Sequence, residues 1–311
     1  MSLDCFLLGT GGMAPMPYRL LVSLAVRLKG VVYLFDAGEG TQLGLKKSAV
    51  GVRGMHLIAV SHLHADHCLG IPGLMMLRSQ LEHPQPLTIL GPPGIERFVL
   101  ENRAVLDFYI NYPVRFIEWA EGAGELAYED ERARIFWQPM RHTRFCLGYR
   151  FEEHPRPGAF NPEKASRLKV PRGPLWGKLQ RGEKVALESG VVVSPEQVLG
   201  PSRRGRHVAY AVDTRPNKGL YKLCRNVDMA FIEGMFLPEH AAQADAKGHM
   251  TVVEGTAVAA RAGAARAVLV HISPRYRDED LETLEMAAKK RFDGVRMGRD
   301  GDVYSVPYAE T

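Results

Sequence analysis

Hydrophobic and polar positions along the 311 residues follow two alternating rhythms. Short apolar runs at FLLG (6–9), LLVSLAVRL (20–28), VVYLFD (31–36) and MHLIAV (55–60) each stop at Gly, Asp or a turn. That pattern predicts β-strands. Helical spacing is predicted at GTQLGLKKSAV (40–50), CLGIPGLMMLRSQL (68–81) and GIERFVLENRAVLDFY (94–109). Further strands are predicted at LTIL, VRFIEW, ARIFWQPM, FCLGYRF, RHVAYAVD, VDMAFIE and RAVLVHI, with helices near 216–224, 251–262 and 279–290. Strand runs that give way to strand–helix alternation predict an α/β protein of two packed sheets with helices outside. Residues 153–206 break the rhythm, being rich in Pro, Gly and charge and poor in apolar periodicity. They are expected to be an insertion leaving the core of a single domain spanning 1–311.

Composition narrows the class. With 46% hydrophobic and 24% charged residues the chain reads as a soluble globular protein. No apolar stretch is long enough to span a bilayer, so no membrane partner is expected. MSLDCFLLGT has neither a basic leader nor a long apolar centre, and the four cysteines at 5, 68, 146 and 224 form no C-x-x-C pair. A cytoplasmic protein with free thiols is the expectation. The net charge is +5, and its excess sits in one place. Residues 154–206 hold 11 Lys and Arg against 4 Asp and Glu, which suits a polyanionic partner.

The densest chemistry is SHLHADH at 61–67, straight after the apolar run LIAV. In extended backbone His62 and His64 point the same way, and Asp66 and His67 turn into the next helix. Imidazole nitrogen and carboxylate oxygen are preferred donors for zinc and similar metals. Two histidines can grip one ion while Asp66 and His67 reach a second. Four donors cannot complete two coordination spheres, so further ligands are expected at other strand ends. His142, Asp213 and His271 each close an apolar strand. Asp213, with two carboxylate oxygens, is the natural bridge between ions about 3.5–4 Å apart.

These residues sit among others that resemble a known family. FLLGTGG, FDAGEGTQ, SHLHADHCLGIPGL, GYRFEE, VPRGPLWGKLQRGE, AVDTRP, GHMT and HISPRY occur in that order along nearly the whole chain. The set resembles the metallo-β-lactamase superfamily, and within it the tRNA 3′-processing endoribonucleases of the ribonuclease Z family. The resemblance implies an αββα sandwich, two mixed sheets with outer helices, plus a protruding arm. It implies two Zn²⁺ per subunit, one held by His62, His64, His142 and Asp213, the other by Asp66, His67, Asp213 and His271. It gives Asp66 the role of proton acceptor, which we reconcile with metal binding by leaving one of its oxygens free to orient water. His249 resembles the family's donor to the leaving 3′ oxygen, with Glu233 orienting it. VPRGPLWGKLQRGE resembles the tip of the tRNA-binding arm, implying substrate contacts at Arg172, Gly173, Pro174, Trp176 and Lys178. Precursor tRNA is then the substrate, cut to leave a 3′-OH on the tRNA and a 5′-phosphate on the trailer, by a homodimer in which one subunit's arm serves the other's site.

Departures from the family pattern carry their own expectations. Asp36, Ala37 and Gly38 stand where the family often has D-C-G, IEGMF (232–236) replaces H-E-A-T-F, and His249, Met250 and Thr251 replace H-S-T. Met250 is expected to alter contacts with the RNA end. The alternative reading is a small-molecule phosphodiesterase or arylsulfatase-like hydrolase that keeps the metals. LGTGG (8–12) is read as a tight turn near the site, because no dinucleotide-binding unit follows it. Cys68 and Cys146 are read as small buried residues.

Overall fold

Strands buried on both faces show continuous apolar runs rather than alternation, which is why LDCFLLG and VVYLF read so plainly as strands. The computed structural model describes residues 2–81, 84–120 and 124–309. In chain order the elements begin β1 (Leu3–Gly9), β2 (Ser23–Leu28), β3 (Val31–Phe35), α1 (Thr41–Lys47) and β4 (Met55–Ala59). They continue with α2 (Ala65–Cys68), α3 (Ile71–Ser79), β5 (Leu87–Gly91), α4 (Ile95–Leu106) and β6 (Val114–Glu118). Next come β7 (Leu126–Glu129), β8 (Ala133–Met140), β9 (Cys146–Glu153), α5 (Pro162–Arg167), α6 (Pro174–Gln180), β10 (Val185–Ala186) and β11 (Val192–Val193). The chain closes with β12 (His207–Ala211), α7 (Lys218–Cys224), β13 (Met229–Glu233), α8 (Ala241–Lys247), α9 (Val252–Ala262), β14 (Ala267–Val270), α10 (Leu281–Lys289), β15 (Val295–Met297) and β16 (Val303–Ser305).

Two units separate by their internal packing: 1–152 with 206–311, and 153–205. The larger holds two seven-stranded sheets, ordered β16-β1-β2-β3-β4-β5-β6 and β15-β14-β13-β12-β9-β8-β7. Both are mixed: β3 to β6 run parallel and β1 to β3 antiparallel, while β12 to β15 run parallel and β9 runs against β12. Side chains sort by the two-residue period of the strand. From β1, Leu3, Cys5 and Leu7 join Tyr33, Phe35, Trp137, Tyr149 and Phe231 between the sheets. Phe6 and Leu8 face the other way, with Leu45, Leu74 and Val99 of α1, α3 and α4. The second sheet covers its outer face with α7, α9 and α10 through Leu223, Val258 and Leu284. Four layers result, helix–sheet–sheet–helix, which is the metallo-β-lactamase fold.

The helix expected over 68–81 is in fact two, α2 and α3, broken at Leu69–Gly70. A Cβ on Gly70 would collide with the carbonyl of Gly38, and one on Gly38 with the carbonyl of Asp66. The break therefore lets the 36–40 loop pack backbone to backbone on the HADH turn, sealed by Ala37 N–H to His67 O and Gly70 N–H to Ala37 O. β7, α8, β15 and β16 were absent from the sequence reading. The three strands are three or four residues long and sit at or next to a sheet edge.

The 153–205 unit, where the apolar rhythm breaks, has secondary structure of its own. It contains α5, α6 and the β10–β11 pair around a small core of Ala165, Val170, Leu179, Val185, Val193 and Val198. Its two ends run side by side, with Arg156 and Arg203 exchanging backbone hydrogen bonds at 2.8 and 2.9 Å. Among the described residues, no helix is long and apolar enough to cross a membrane.

Candidate metal centre

Parallel strands carry their C-terminal ends to one edge, and that edge collects the site. β4 runs into His62 and His64, β8 into His142, β12 into Asp213 and β14 into His271, with Asp66 and His67 in α2. Asp36, Asp213 and His271 each follow a strand with positive φ, 55°, 50° and 59°. Left-handed backbone is uncommon outside Gly and best tolerated by short polar side chains. Here it turns each side chain back over the sheet edge.

All seven expected ligands converge. Asp213 Oδ2 lies 3.6 Å from His62 Nε2 and 3.5 Å from His142 Nε2, while His64 Nδ1 is 2.7 Å from His62 Nε2. Its other oxygen, Oδ1, lies 3.3 Å from His67 Nε2 and 3.0 Å from His271 Nε2. Asp66 Oδ2 completes that second group at 3.5 Å from each of the same two nitrogens. One carboxylate thus faces two clusters, one oxygen to each, as a bridge requires.

Behind four of the five imidazoles, all but His64, a hydrogen-bond partner fixes the tautomer. His67 donates Nδ1–H to Asp36 at 2.8 Å, His142 to the Gly248 carbonyl at 3.2 Å and His271 to Glu233 at 3.1 Å. His62 Nδ1 meets Ser61 Oγ at 3.0 Å. In these four the Nε2 lone pair is left turned to the pocket, whereas His64 presents Nδ1. His67 Nε2, His142 Nε2, His271 Nε2 and Asp213 Oδ1 are buried without a hydrogen-bond partner. Such orphans are costly unless a cation accepts their lone pairs.

The electrostatics agree with this. Burial opposes ionisation of Asp213, yet His271 and His67 hold its carboxyl well below the usual range, and Asp66 shifts the same way. Burial also opposes the His271 imidazolium, yet Asp213 and the contacts to Asp66 and Glu233 lift its pKa to about 10. The pocket therefore demands positive charge. Divalent cations meet that demand and leave the imidazoles neutral, so the residues present fit bound metal.

Sequence reasoning missed Asp36. It is fully buried and accepts from Ser61 N–H, Ser61 Oγ, His67 Nδ1 and the Tyr210 hydroxyl at 2.6–2.8 Å. Its signal was present, an acid closing the strand VVYLF as Asp213 closes HVAYA. The glycine turn also reaches the site. Met13 N–H donates to Asp66 Oδ2 at 2.6 Å, and a Cβ on Gly12 would stand 2.5 Å from His271 Nε2. His271 is fully buried and pinned by Glu233, so it cannot yield cheaply. Gly12→Ala is expected to weaken retention of the ion beside His271 by roughly 10–100-fold, the range for disturbed ligand support. Metal titration against a chelator measures it, and unchanged retention would rule out the steric argument.

Glu233 holds two histidines with one oxygen: Oε1 accepts from His249 Nδ1 at 2.6 Å as well as from His271. Its Oε2 accepts from Met250 N–H at 2.9 Å and Thr214 N–H at 3.3 Å. The His249 ring stands 5.1 Å from that of His142 and 5.5 Å from that of His271. Arg215 fixes its backbone, donating to the His249 carbonyl at 2.7 Å while its guanidinium pairs with Glu254. Glu254 in turn closes the capping box of α9 with Thr251. The expectation for Met250 needs correction. Its side chain is fully buried in the core under α9, so it packs the protein and does not meet RNA.

Cys68 and Cys146 are buried, and burial pushes the Cys68 thiol up to about 12. The five arm residues lie in the smaller unit and not among the metal donors. Gly173, at φ 131°, caps α6, and Pro174 opens it. Trp176 packs 5.1 Å from Phe160, donates its indole N–H to the Val170 carbonyl and lies under the Arg172 guanidinium at 5.3 Å. Its ring is half-buried.

Comparison with known proteins places this geometry. The sequence model of the beta-lactamase superfamily domain matches residues 178–272. Curated proteins named Ribonuclease Z align over most of the chain. That of Treponema denticola is 41% identical, covering 96% of this chain and 97% of its own. That of Methanosarcina acetivorans is 39% identical over 97% of each. Among solved structures, the short form of human tRNase Z superposes with a TM-score of 0.71 at 22% identity, covering 98% of this chain and 99% of its own. The metallo-beta-lactamase fold protein YhfI of Bacillus subtilis gives 0.67 at 17%, covering 98% and 100%. At such identities the structures speak for the fold, and the curated relatives for the family. With a carboxylate between two imidazole clusters at one sheet edge, and full-length relatives near 40% identity, this chain belongs to the ribonuclease Z family of metallo-β-lactamase-fold hydrolases.

Proposed function

We propose that the chain is an endoribonuclease that removes 3′ trailers from precursor tRNA, using two zinc ions per subunit and leaving a 3′-OH on the tRNA and a 5′-phosphate on the trailer. The observation that carries the two-ion part is the division of Asp213, Oδ2 toward His62 and His142, Oδ1 toward His67 and His271. Metal ions held there supply charge neutralisation for the phosphate and acidify the attacking water. The chain's own residues do the rest. Asp66, held through Oδ2 by Met13 N–H, keeps Oδ1 for orienting water and taking its proton. His249, held at Nδ1 by Glu233, presents Nε2 toward the leaving 3′ oxygen. Arg172, Gly173, Pro174, Trp176 and Lys178 belong to a unit whose positive excess suits the phosphates of a folded RNA. A cytoplasmic homodimer completes the reading. The test is direct: the metal-loaded protein is incubated with a precursor tRNA carrying a 3′ trailer, and both product ends are mapped. A cut elsewhere, or a 2′,3′-cyclic end, would overturn it.

The smaller unit can be tested separately from the chemistry. Arg156 and Arg203 already lie side by side, so residues 157–202 can be replaced by a short Gly-Ser turn. Hydrolysis of bis(p-nitrophenyl) phosphate is expected to stay within roughly two-fold, because that ester needs only the metal centre. Affinity for tRNA should fall strongly, with a salt dependence shallower by roughly 0.7–0.9 per lost phosphate contact. Equal losses on both substrates would make the unit a structural element.

A further inference from the structure

Beside the metal centre lies a cleft of about 570 Å³ that the chemistry above leaves unused. Leu63, Pro92, Pro93, Ala120, Arg144 and Phe145 line it. Its walls are continuous with the ligands: Leu63 stands between His62 and His64, and Arg144 and Phe145 follow His142 by two and three residues. The lining is apolar and partly flat, with Leu63 and Phe145 half-buried and Pro93 exposed. A row of aromatic rings backs it, Phe145 edge-on to Trp137 at 6.3 Å and Trp137 tilted against Trp119 at 5.9 Å. Among the described lining residues Arg144 is the one cation. It is exposed and makes no hydrogen bond or ion pair with any described residue.

We infer that this cleft is a subsite for the first nucleotide of the trailer, its base unstacked against Phe145 and the prolines and its 3′ phosphate met by Arg144. The inference rests on the ribonuclease reading. Single-stranded nucleotides are held by this pair of features, an apolar or aromatic face for the base and a cation for the backbone. Position selects the trailer over the tRNA body. The cleft opens from the ends of β4, β5 and β6 and the β8–β9 turn, whereas His249 follows β13, which β12 and β9 separate from β8 in the sheet. With His249 as the proton donor, the leaving 3′ oxygen lies beside it and the attacking water lies opposite. The phosphate stays on the trailer through an equatorial 5′ oxygen, so the first trailer nucleotide extends to the side of the reaction axis, away from His249, where the cleft can receive it.

Two precursor tRNAs that differ in one feature test this, the first trailer nucleotide either carrying its base or abasic. The wild-type protein is expected to lose roughly ten-fold in kcat/KM on the abasic substrate, the order of a single base–aromatic stack. Phe145→Ala should lower the rate on the natural substrate and barely on the abasic one, and Phe145→Leu, which still fills the space against Trp137, guards against a folding defect. Arg144→Ala should lower both, since the phosphate remains in each. Equal wild-type rates on the two substrates, equal losses for the Phe145 variants on both, or no effect of Arg144→Ala would overturn the subsite. If neither precursor is cut while bis(p-nitrophenyl) phosphate is hydrolysed, the ribonuclease reading falls and takes the subsite with it.

Discussion

Asp213→Asn is expected to empty both ion positions and abolish turnover of every phosphodiester. An amide offers one oxygen where the carboxylate offers two, and its NH₂ would be turned toward either His62 and His142 or His67 and His271. The variant also removes a negative charge from a buried pocket whose lone pairs require cations. Metal content should drop from about two ions to well under one per chain, with activity on both RNA and bis(p-nitrophenyl) phosphate down by at least roughly 10⁴-fold. Folding should survive, since the donors lie at the sheet edge while the cores lie between and outside the sheets. Elemental analysis with steady-state rates decides it. A variant that retains two ions and measurable turnover would show that Asp213 does not bridge.

What could be read beforehand divides along physical lines. The seven expected donors were legible because His and Asp are unusual at the close of apolar strands, and four of them crowd into seven residues after β4. Asp36 carried the same local mark and was missed. Its partners Ser61, His67 and Tyr210 lie 25, 31 and 174 residues away, so nothing local separates a ligand from the support of a ligand. The shared grip of Glu233 on His249 and His271 was half visible for the same reason. Its pairing with His271 needs β13 and β14 to lie parallel in register, Glu233 beside Val270. Met250 was misread because a residue one position from a functional histidine need not share its direction. The period of the turn sends the histidine to the pocket and the methionine to the core. In the 153–205 unit the strands are two residues long and the core is six small side chains scattered among Pro and Gly. That spacing has no period for a sequence reading to find.

His249→Ala separates acid catalysis from RNA holding. A ribose alkoxide is a strong base and leaves badly without a proton, whereas p-nitrophenolate leaves readily. If His249 supplies that proton, its removal should slow RNA cleavage by roughly 10²–10⁴-fold, the span for general acid–base groups, and slow the nitrophenyl ester far less. Metal content should hold, because the His249 ring lies beside the His142 and His271 rings and outside the seven donors. Glu233→Gln should follow more mildly on RNA, as an orienting partner does. It should also loosen the ion beside His271, since the same Oε1 accepts from both rings at 2.6 and 3.1 Å. That second effect distinguishes the two variants: His249→Ala spares the metal and Glu233→Gln does not. The competing account is that His249 merely holds the RNA end. It predicts a raised KM with kcat preserved and no contrast between leaving groups at saturating RNA. In that outcome His249 leaves the catalytic set, and the Glu233 carboxylate keeps only its task of fixing His271.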